Sequence, residues 1–506
     1  MMTKQRQLVR YWGRKPSELA EEYIGRYPKP NDVVLDNFGG SGIFVKTALE
    51  MGRRAIYIDL NPFAKLIAHS TIEGCDAEFF LSEAEKIVYR KLIPVRIDGN
   101  RLSLNPKNIF SVKCSCGRDV EVKYMEFSRR YSVNPSWKGE SQGLEKRIIM
   151  DIQRHGLIIH DELVRLYDNL SSMRTSSLIK SLVRKGIVYE EEIPISAMFR
   201  QRCKCGRDGT TFHSREIWIL KEPFESIYWY PKNRLLYKNG TLFLKKRDVE
   251  RVDEFFTNRS LTLLSAIWKD ITKTKTTADV KRCLCLVFMA TLARSSKMCR
   301  KSGGTWPVNS YWIPRKFVVK NPYVIFEDAA IRFYNFLKKK SEVSCGDIDD
   351  VIDGRADVAF IAADATQTDL PESSVDYAII DPPHTDEAQF FELSLFYTSW
   401  LRKKLSFDNE LVVNSHQGKT LKKYLEMLNK TAERVYHALK EGKYFTAVLH
   451  EEDLEILEQC ADAIKHVGFT LIRKDEVGDY FVYTFKKQQN LSVLERLLLN
   501  LRRIFQ

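Results

Sequence analysis

A chain of 506 residues is too long for one core, and two to four domains are expected. Its 44% apolar and 29% charged residues suit a soluble globular protein, whereas a net charge of +14 points to a polyanion such as nucleic acid or to an anionic membrane. No run of about 18 apolar residues occurs, and Met1-Met2-Thr3-Lys4 does not open a signal peptide, so the membrane is excluded as a partner. Ten cysteines without an export signal imply a reducing, cytoplasmic setting and metal or core thiols rather than disulfides.

In chain order, the basic, aromatic stretch Arg10-Tyr11-Trp12-Gly13-Arg14-Lys15-Pro16 leads into a helix over Ser17 to Arg26, with Ser17 as its N-cap. Residues Asn31 to Asp36 read as a buried strand, followed by the glycine loop Asn37-Phe38-Gly39-Gly40-Ser41-Gly42 and a helix to Met51. A second strand, Ala55 to Ile58, delivers Asp59 at its tip, ahead of Leu60-Asn61-Pro62. Strand, glycine turn, helix, strand and terminal acid form a βαβ nucleotide-binding unit. The glycines let the backbone approach a ligand, and an acid at the second strand's end can hold both hydroxyls of a ribose.

A helix is expected from Ser82 to Lys91, then a polar strand-and-turn region. Lys113-Cys114-Ser115-Cys116-Gly117-Arg118-Asp119 recurs as Arg202-Cys203-Lys204-Cys205-Gly206-Arg207-Asp208. Two such turns can offer four thiolates to a tetrahedral Zn2+, with His213 able to replace one; the alternative is buried free thiols in a small β-subdomain. Between them, 144–192 reads as three helices and a strand, a winged-helix-like insert whose last helix carries Arg174, Lys180, Arg184 and Lys185. It suits a DNA groove or protein docking.

Trp229 to Leu235 precedes helices expected over Arg247–Lys273 and Thr277–Ser296, in which Cys283 and Cys285 read as core. Gly303 to Pro307 and Ser310 to Lys316 interleave rings with cations, as a nucleic-acid surface does. A further helix is expected from Phe326 to Lys340.

The nucleotide-type pattern then resumes. Val358 to Ala362 is a buried strand with Asp364 just beyond it, placed to bond an adenine or its surroundings. Tyr377-Ala378-Ile379-Ile380 is another, halted at Asp381-Pro382-Pro383-His384 because proline gives no N–H to a ladder and keeps the residue before it out of helical space. This end presents a carboxylate, backbone carbonyls and a flat ring, the parts needed to hold an exocyclic amino group while a planar base stacks alongside. Helices over 390–400, 421–439 and 454–467 alternate with strands at 444–450, 469–474 and 480–485. The fold class is α/β: a doubly wound, seven-stranded, Rossmann-like sheet with an antiparallel final strand, ligands lying at the carboxyl ends of the strands. Asp36, Asp59, Asp364 and Asp381 all fall at such ends.

Asp-Pro-Pro-His and the loop Asp-x-Phe-x-Gly-Ser-Gly together resemble the amino-group (adenine-N6 or cytosine-N4) methyltransferases of prokaryotic DNA. Tyr-Trp-Gly-Arg-Lys-Pro, Tyr-Trp-Ile-Pro in the insert and Asn-Ser-His-Gln-Gly-Lys fall in that family's order. His384 replaces the usual Tyr, and Asn37 the usual Pro. The resemblance implies a methyltransferase core at 1–75 and 341–487 with a target-recognition insert between; the residues themselves divide the rest into a zinc-ribbon-like part at 111–143 and 193–222, a winged-helix-like part at 144–192, a helical target-recognition region at 223–340 and a C-terminal helix at 488–506.

The implied activity is methyl transfer from S-adenosylmethionine to the amino group of a base flipped out of double-stranded DNA, adenine ahead of cytosine. Asp381, Pro382, Pro383 and His384 would be catalytic. Tyr11, Trp12, Asp36, Phe38, Gly40, Ser41, Gly42, Asp59, Asn61 and Asp364 would bind the cofactor, and Cys114, Cys116, Cys203 and Cys205 a structural Zn2+. Tyr11 and its neighbours would close over the methionine end, though a basic arm on phosphates also fits. Protonation of His384 would change its stacking face, so an unusual pH dependence is expected. A restriction or defence-system partner is a further implication. The alternatives are a catalytically inactive DNA-binding subunit of a defence complex and an RNA amino-methyltransferase.

Overall fold

The buried runs form the strands of a central sheet. In this computed structural model, residues 8–488 are described apart from 10, 14, 157, 168–171, 213–223, 244–248, 303–312 and 387. Arg14, His213, the expected helix start at Arg247, the aromatic stretch 303–312 and all but the first residue of the C-terminal helix lie outside the described residues.

Seven strands stand in the order Val358–Ala362, Arg54–Asp59, Val33–Asp36, Val375–Ile380, Leu439–Leu449, Tyr480–Lys487, Phe469–Val477. Pairing is parallel except at Tyr480–Lys487, which runs against both neighbours. Every residue of the two middle strands is buried, because helices cover both faces. The chain reverses its direction of travel between those two strands, and such a switch opens a crevice at their carboxyl ends. Register carries the acids to one rim: Asp36 pairs with Tyr57, and Asp59 with Ala362.

The insert builds two smaller sheets. Its longest strands, Asp119–Val133 and Val188–Phe199, form an antiparallel ribbon that keeps pairing to Val133 opposite Val188. Beyond that end, the helices Gly143–His155, His160–Arg165 and Ser172–Arg184 gather a separate core from Ile148, Ile152, Leu163, Ile179 and Leu182. Lys185, one of the cations read on or near the last helix, is paired with Glu145 at 2.8 Å.

The helices Asn258–Lys273, Ala278–Ser295 and Pro322–Leu337 are not set apart as a 223–340 region. They share one apolar cluster with Phe63 and Ile67 of the helix Pro62–Ile72 and with Phe396 of Phe390–Thr398. The sheet's own helix exposes a second apolar face that needs cover, and these helices supply it. Cys283 is core, as its apolar setting implied.

Several boundaries differ from expectation for local reasons. Pro16, not Ser17, occupies the N-cap of the first helix, with no side-chain cap. Asp76 caps a helix at Ala77–Val88, earlier than the expected 82–91, and Asn321 with Pro322 at the first position starts another at 322 instead of 326. No helix among the described residues is long and apolar enough to cross a membrane.

Candidate active site

One cavity opens at the carboxyl ends of the middle strands. Tyr11, Trp12, Phe38, Gly40, Ser41, Asp59, Asn61, Asp364, Asp381, Pro382, Pro383 and His384 all line it. The floor is the glycine loop. A Cβ on Gly39 would fall 2.2 Å from the Tyr57 ring, so only glycine lets the loop lie flat on that strand. The loop is pinned from both sides: the Gly40 N–H donates to Asp59 Oδ2 at 2.7 Å, and the Tyr57 hydroxyl donates to the Gly40 carbonyl at 2.8 Å.

Asp59 also accepts the Asn61 N–H at 2.7 Å. Burial pushes its carboxyl up to about 6, against the pull of those two N–H donors. The Asn61 side chain caps the next helix through the Phe63 N–H and donates to Ser394 Oγ at 2.6 Å, so its amide serves chiefly to fix this corner. On the other side Asp364 is held by the Thr366 backbone and hydroxyl, each at 2.8 Å, and by the Gln367 amide at 2.9 Å.

Two expected cofactor residues are not in the lining. Asp36 is fully buried beneath the loop, where Oδ1 accepts the Phe38 N–H at 3.2 Å and burial drives its carboxyl well up. Three of the four expected acids therefore face the cavity. Gly42 turns away as well: at φ +83° it caps the helix Ile43–Glu50, and a Cβ there would meet Ala68 at 2.9 Å. Its role is close packing of two helices.

At the wall opposite the loop, Lys15 Nζ lies 2.7 Å from Asp381 Oδ1 and donates to His384 Nε2 at 3.0 Å. Its side chain is 1% exposed, so the ion pair is shielded from solvent. An ammonium only donates, so Nε2 is the acceptor and the His384 proton sits on Nδ1. Burial, then Lys15, then His450 push this imidazole down to about 2. His384 is accordingly neutral at ordinary pH, and the expected pH dependence from its protonation is corrected. The unfolded ring titrates near 6.5. The folded state therefore binds fewer protons below that value, and stability falls as pH drops from about 6.5. His384→Gln should reduce that slope in thermal unfolding followed between pH 5 and 8.

The Tyr424 hydroxyl takes the Pro383 carbonyl at 2.9 Å, fixing the turn of the motif. Tyr11 stacks on Phe390, centroids 5.8 Å apart, and Trp12 packs beside Phe63 and Tyr397. Lys15, Gly39, Phe390 and Glu410 line the cavity without having been singled out from the sequence.

Cys114, Cys116, Cys203 and Cys205 come together elsewhere, at the tip of the ribbon, and none of them lines this cavity.

A parallel sheet with one antiparallel hairpin strand, a glycine loop and acids at its carboxyl rim is a doubly wound, Rossmann-like nucleotide-binding fold. Residues 3–70 match the family described as DNA methylase. The same part is 34% identical over 68 residues to the type II methyltransferase M.MjaII of Methanocaldococcus jannaschii, covering 13% of each chain. Among solved structures, a Burkholderia thailandensis 1,6-didemethyltoxoflavin-N1-methyltransferase with bound S-adenosylhomocysteine is 15% identical, covering 26% of this chain and 52% of that one, at a TM-score of 0.17. The fibrillarin pre-rRNA processing protein of Methanococcus jannaschii is 15% identical, covering 28% and 50%, at 0.16. Likeness at such scores says nothing of activity.

Proposed function

We propose that the chain is an S-adenosylmethionine-dependent methyltransferase acting on the exocyclic amino group of a base flipped out of duplex DNA, adenine N6 ahead of cytosine N4. The observation that carries this reading is the meeting of Asp381 and the Pro382 turn with the glycine loop and Asp59 around one cavity. The residues fit the cofactor. Asn37 lines the cavity with a buried Oδ1 that has no partner among the described residues, and Asp59 stands where ribose hydroxyls would come. When bound, the cofactor supplies an electrophilic sulfonium methyl.

The chain's residues do the rest. Asp381 and the Pro382 carbonyl accept the amino hydrogens and draw the nitrogen lone pair out of conjugation with the ring. The neutral His384 offers its face to the base, its tilt fixed by Lys15. Tyr11 and Phe390 keep water from the site. Positioning and electrostatics supply most of such a rate. Aspartate in the first motif position supports adenine, and the winged-helix-like insert supports DNA over RNA.

One observation favours a chain without catalysis: Lys15 occupies an oxygen of the acid that must receive the amino group. Tritiated S-adenosylmethionine with mixed-sequence duplex DNA or RNA separates the readings. Label on DNA supports the proposal, label on RNA replaces the substrate, and label on neither supports the inactive subunit.

Two expectations follow. Hydrogen bonds to a charged group contribute roughly 1.5–3 kcal/mol, so Asp59→Ala should weaken cofactor binding by about ten- to a hundredfold. Wild-type affinity should fall as pH drops through about 6, where Asp59 takes up its proton, and the variant should lose that dependence. Titration calorimetry at several pH values checks both. Lys15→Met removes one of the charges that depress His384 but leaves burial, the larger cause, so the ring's titration should move only part of the way toward its ordinary value, as NMR of the His384 ring in the variant checks.

A further inference from the structure

We propose that Cys114, Cys116, Cys203 and Cys205 hold one structural Zn2+ in a closed four-thiolate site that locks the end of the insert's ribbon where Asp119 and Phe199 lie. All four sulfurs lie within 4.8 Å of one another. The cross pairs Cys114–Cys205 and Cys116–Cys203 are each 3.6 Å apart. A tetrahedral ion with Zn–S of about 2.3 Å places its sulfurs about 3.8 Å apart, whereas a disulfide needs about 2.05 Å. The cluster has the spacing of ligands around one ion.

The two turns are built alike, which free thiols do not require. In the first, the Gly117 N–H donates to the Cys114 carbonyl at 2.7 Å and the Cys114 N–H to the Arg118 carbonyl at 2.8 Å. In the second, Gly206 donates to Cys203 at 2.8 Å and Cys203 to Arg207 at 2.7 Å. Gly117 and Gly206 sit at φ +86° and +89°, conformations that L side chains rarely adopt. The repeat thus presents one cysteine from within each turn and one from its base, related by an approximate twofold.

Charge agrees. A divalent ion with four thiolates carries a net negative charge. The two repeats carry Lys113, Arg118, Arg202, Lys204 and Arg207 next to the cysteines in sequence, against only Asp119 and Asp208. The strands Ser111–Lys113 and Gly209–Thr211, too short to hold their ends alone, would be fastened by the ion.

The test uses the full chain as purified, with neither cofactor nor DNA, so its outcome is independent of the methyltransferase reading. Inductively coupled plasma mass spectrometry should find about one zinc per chain, released when the thiols are titrated with a mercurial. Cobalt exchanged into the site should show the intense thiolate charge-transfer bands of a tetrahedral tetrathiolate. The double variant C116S/C205S should lose the metal. If that variant fails to fold, the wild-type metal content and cobalt spectrum still decide. Wild-type protein without stoichiometric zinc, an iron-loaded site, or a Cys–Cys crosslink in the intact mass under non-reducing conditions overturns the proposal.

Discussion

Asp381→Asn should lower methyl transfer by about two to three orders of magnitude, the usual cost of removing one preorganised electrostatic partner of a transition state. The substitution is nearly isosteric and keeps an oxygen for Lys15, which lies 2.7 Å away with its side chain 1% exposed. What it removes is the negative charge that opposes the positive charge growing on the amino nitrogen. Cofactor affinity should change little, because the loop, Asp59 and Asp364 hold that end of the cavity. Single-turnover rates at saturating cofactor, with affinity measured separately, distinguish the two effects. Near-wild-type turnover would remove Asp381 from the chemistry.

The second large effect concerns stability. Trp400→Ala should cost about 3–5 kcal/mol, the range for deleting a large buried ring. Trp400 is fully buried. It meets Phe288 at 5.1 Å, Trp229 at 6.2 Å, Phe256 at 6.3 Å and Trp268 at 6.4 Å, between the helices that follow the Pro-Pro motif and those of the insert. Its indole N–H has no partner among the described residues, so Trp400→Phe, which removes that unsatisfied donor, should cost far less. Chemical denaturation of the two variants gives the comparison. If Trp400→Ala behaves like a surface change, the helical layer and the sheet do not share a core.

The strands that carry the site were legible because burial on both faces writes them as unbroken apolar runs ended by an acid: Val33 to Asp36, Ala55 to Asp59, Tyr377 to Asp381. Where a strand departs from that pattern the reading slipped. Leu439–Leu449 begins five residues before the expected 444, because Gly442, at a φ of +73°, lets the strand bend through Lys440, Glu441 and Lys443. Helix starts were missed where the cap is Asp76 or Asn321, single polar residues with little pattern around them. In the site, the three facing acids could be read from local sequence, but Lys15 could not. Its contact with His384 joins residues 369 apart. Asp36 shows the converse: a strand-end position alone does not say whether a carboxylate faces a ligand or lies under the loop that does.

The paired ends of the long ribbon carry a consequence for how such a chain diversifies. Because Val133 lies opposite Val188, everything between them leaves and re-enters the scaffold at one doorway. Joining the strands there by a short turn closes a gap that is already closed, at little entropic cost. The helical head has a small apolar cluster of its own, tied to the scaffold by the strand Ile158–Ile159 and by Arg315 on His160. A change of head must keep those ties, and it leaves the rim and its cavity as they are.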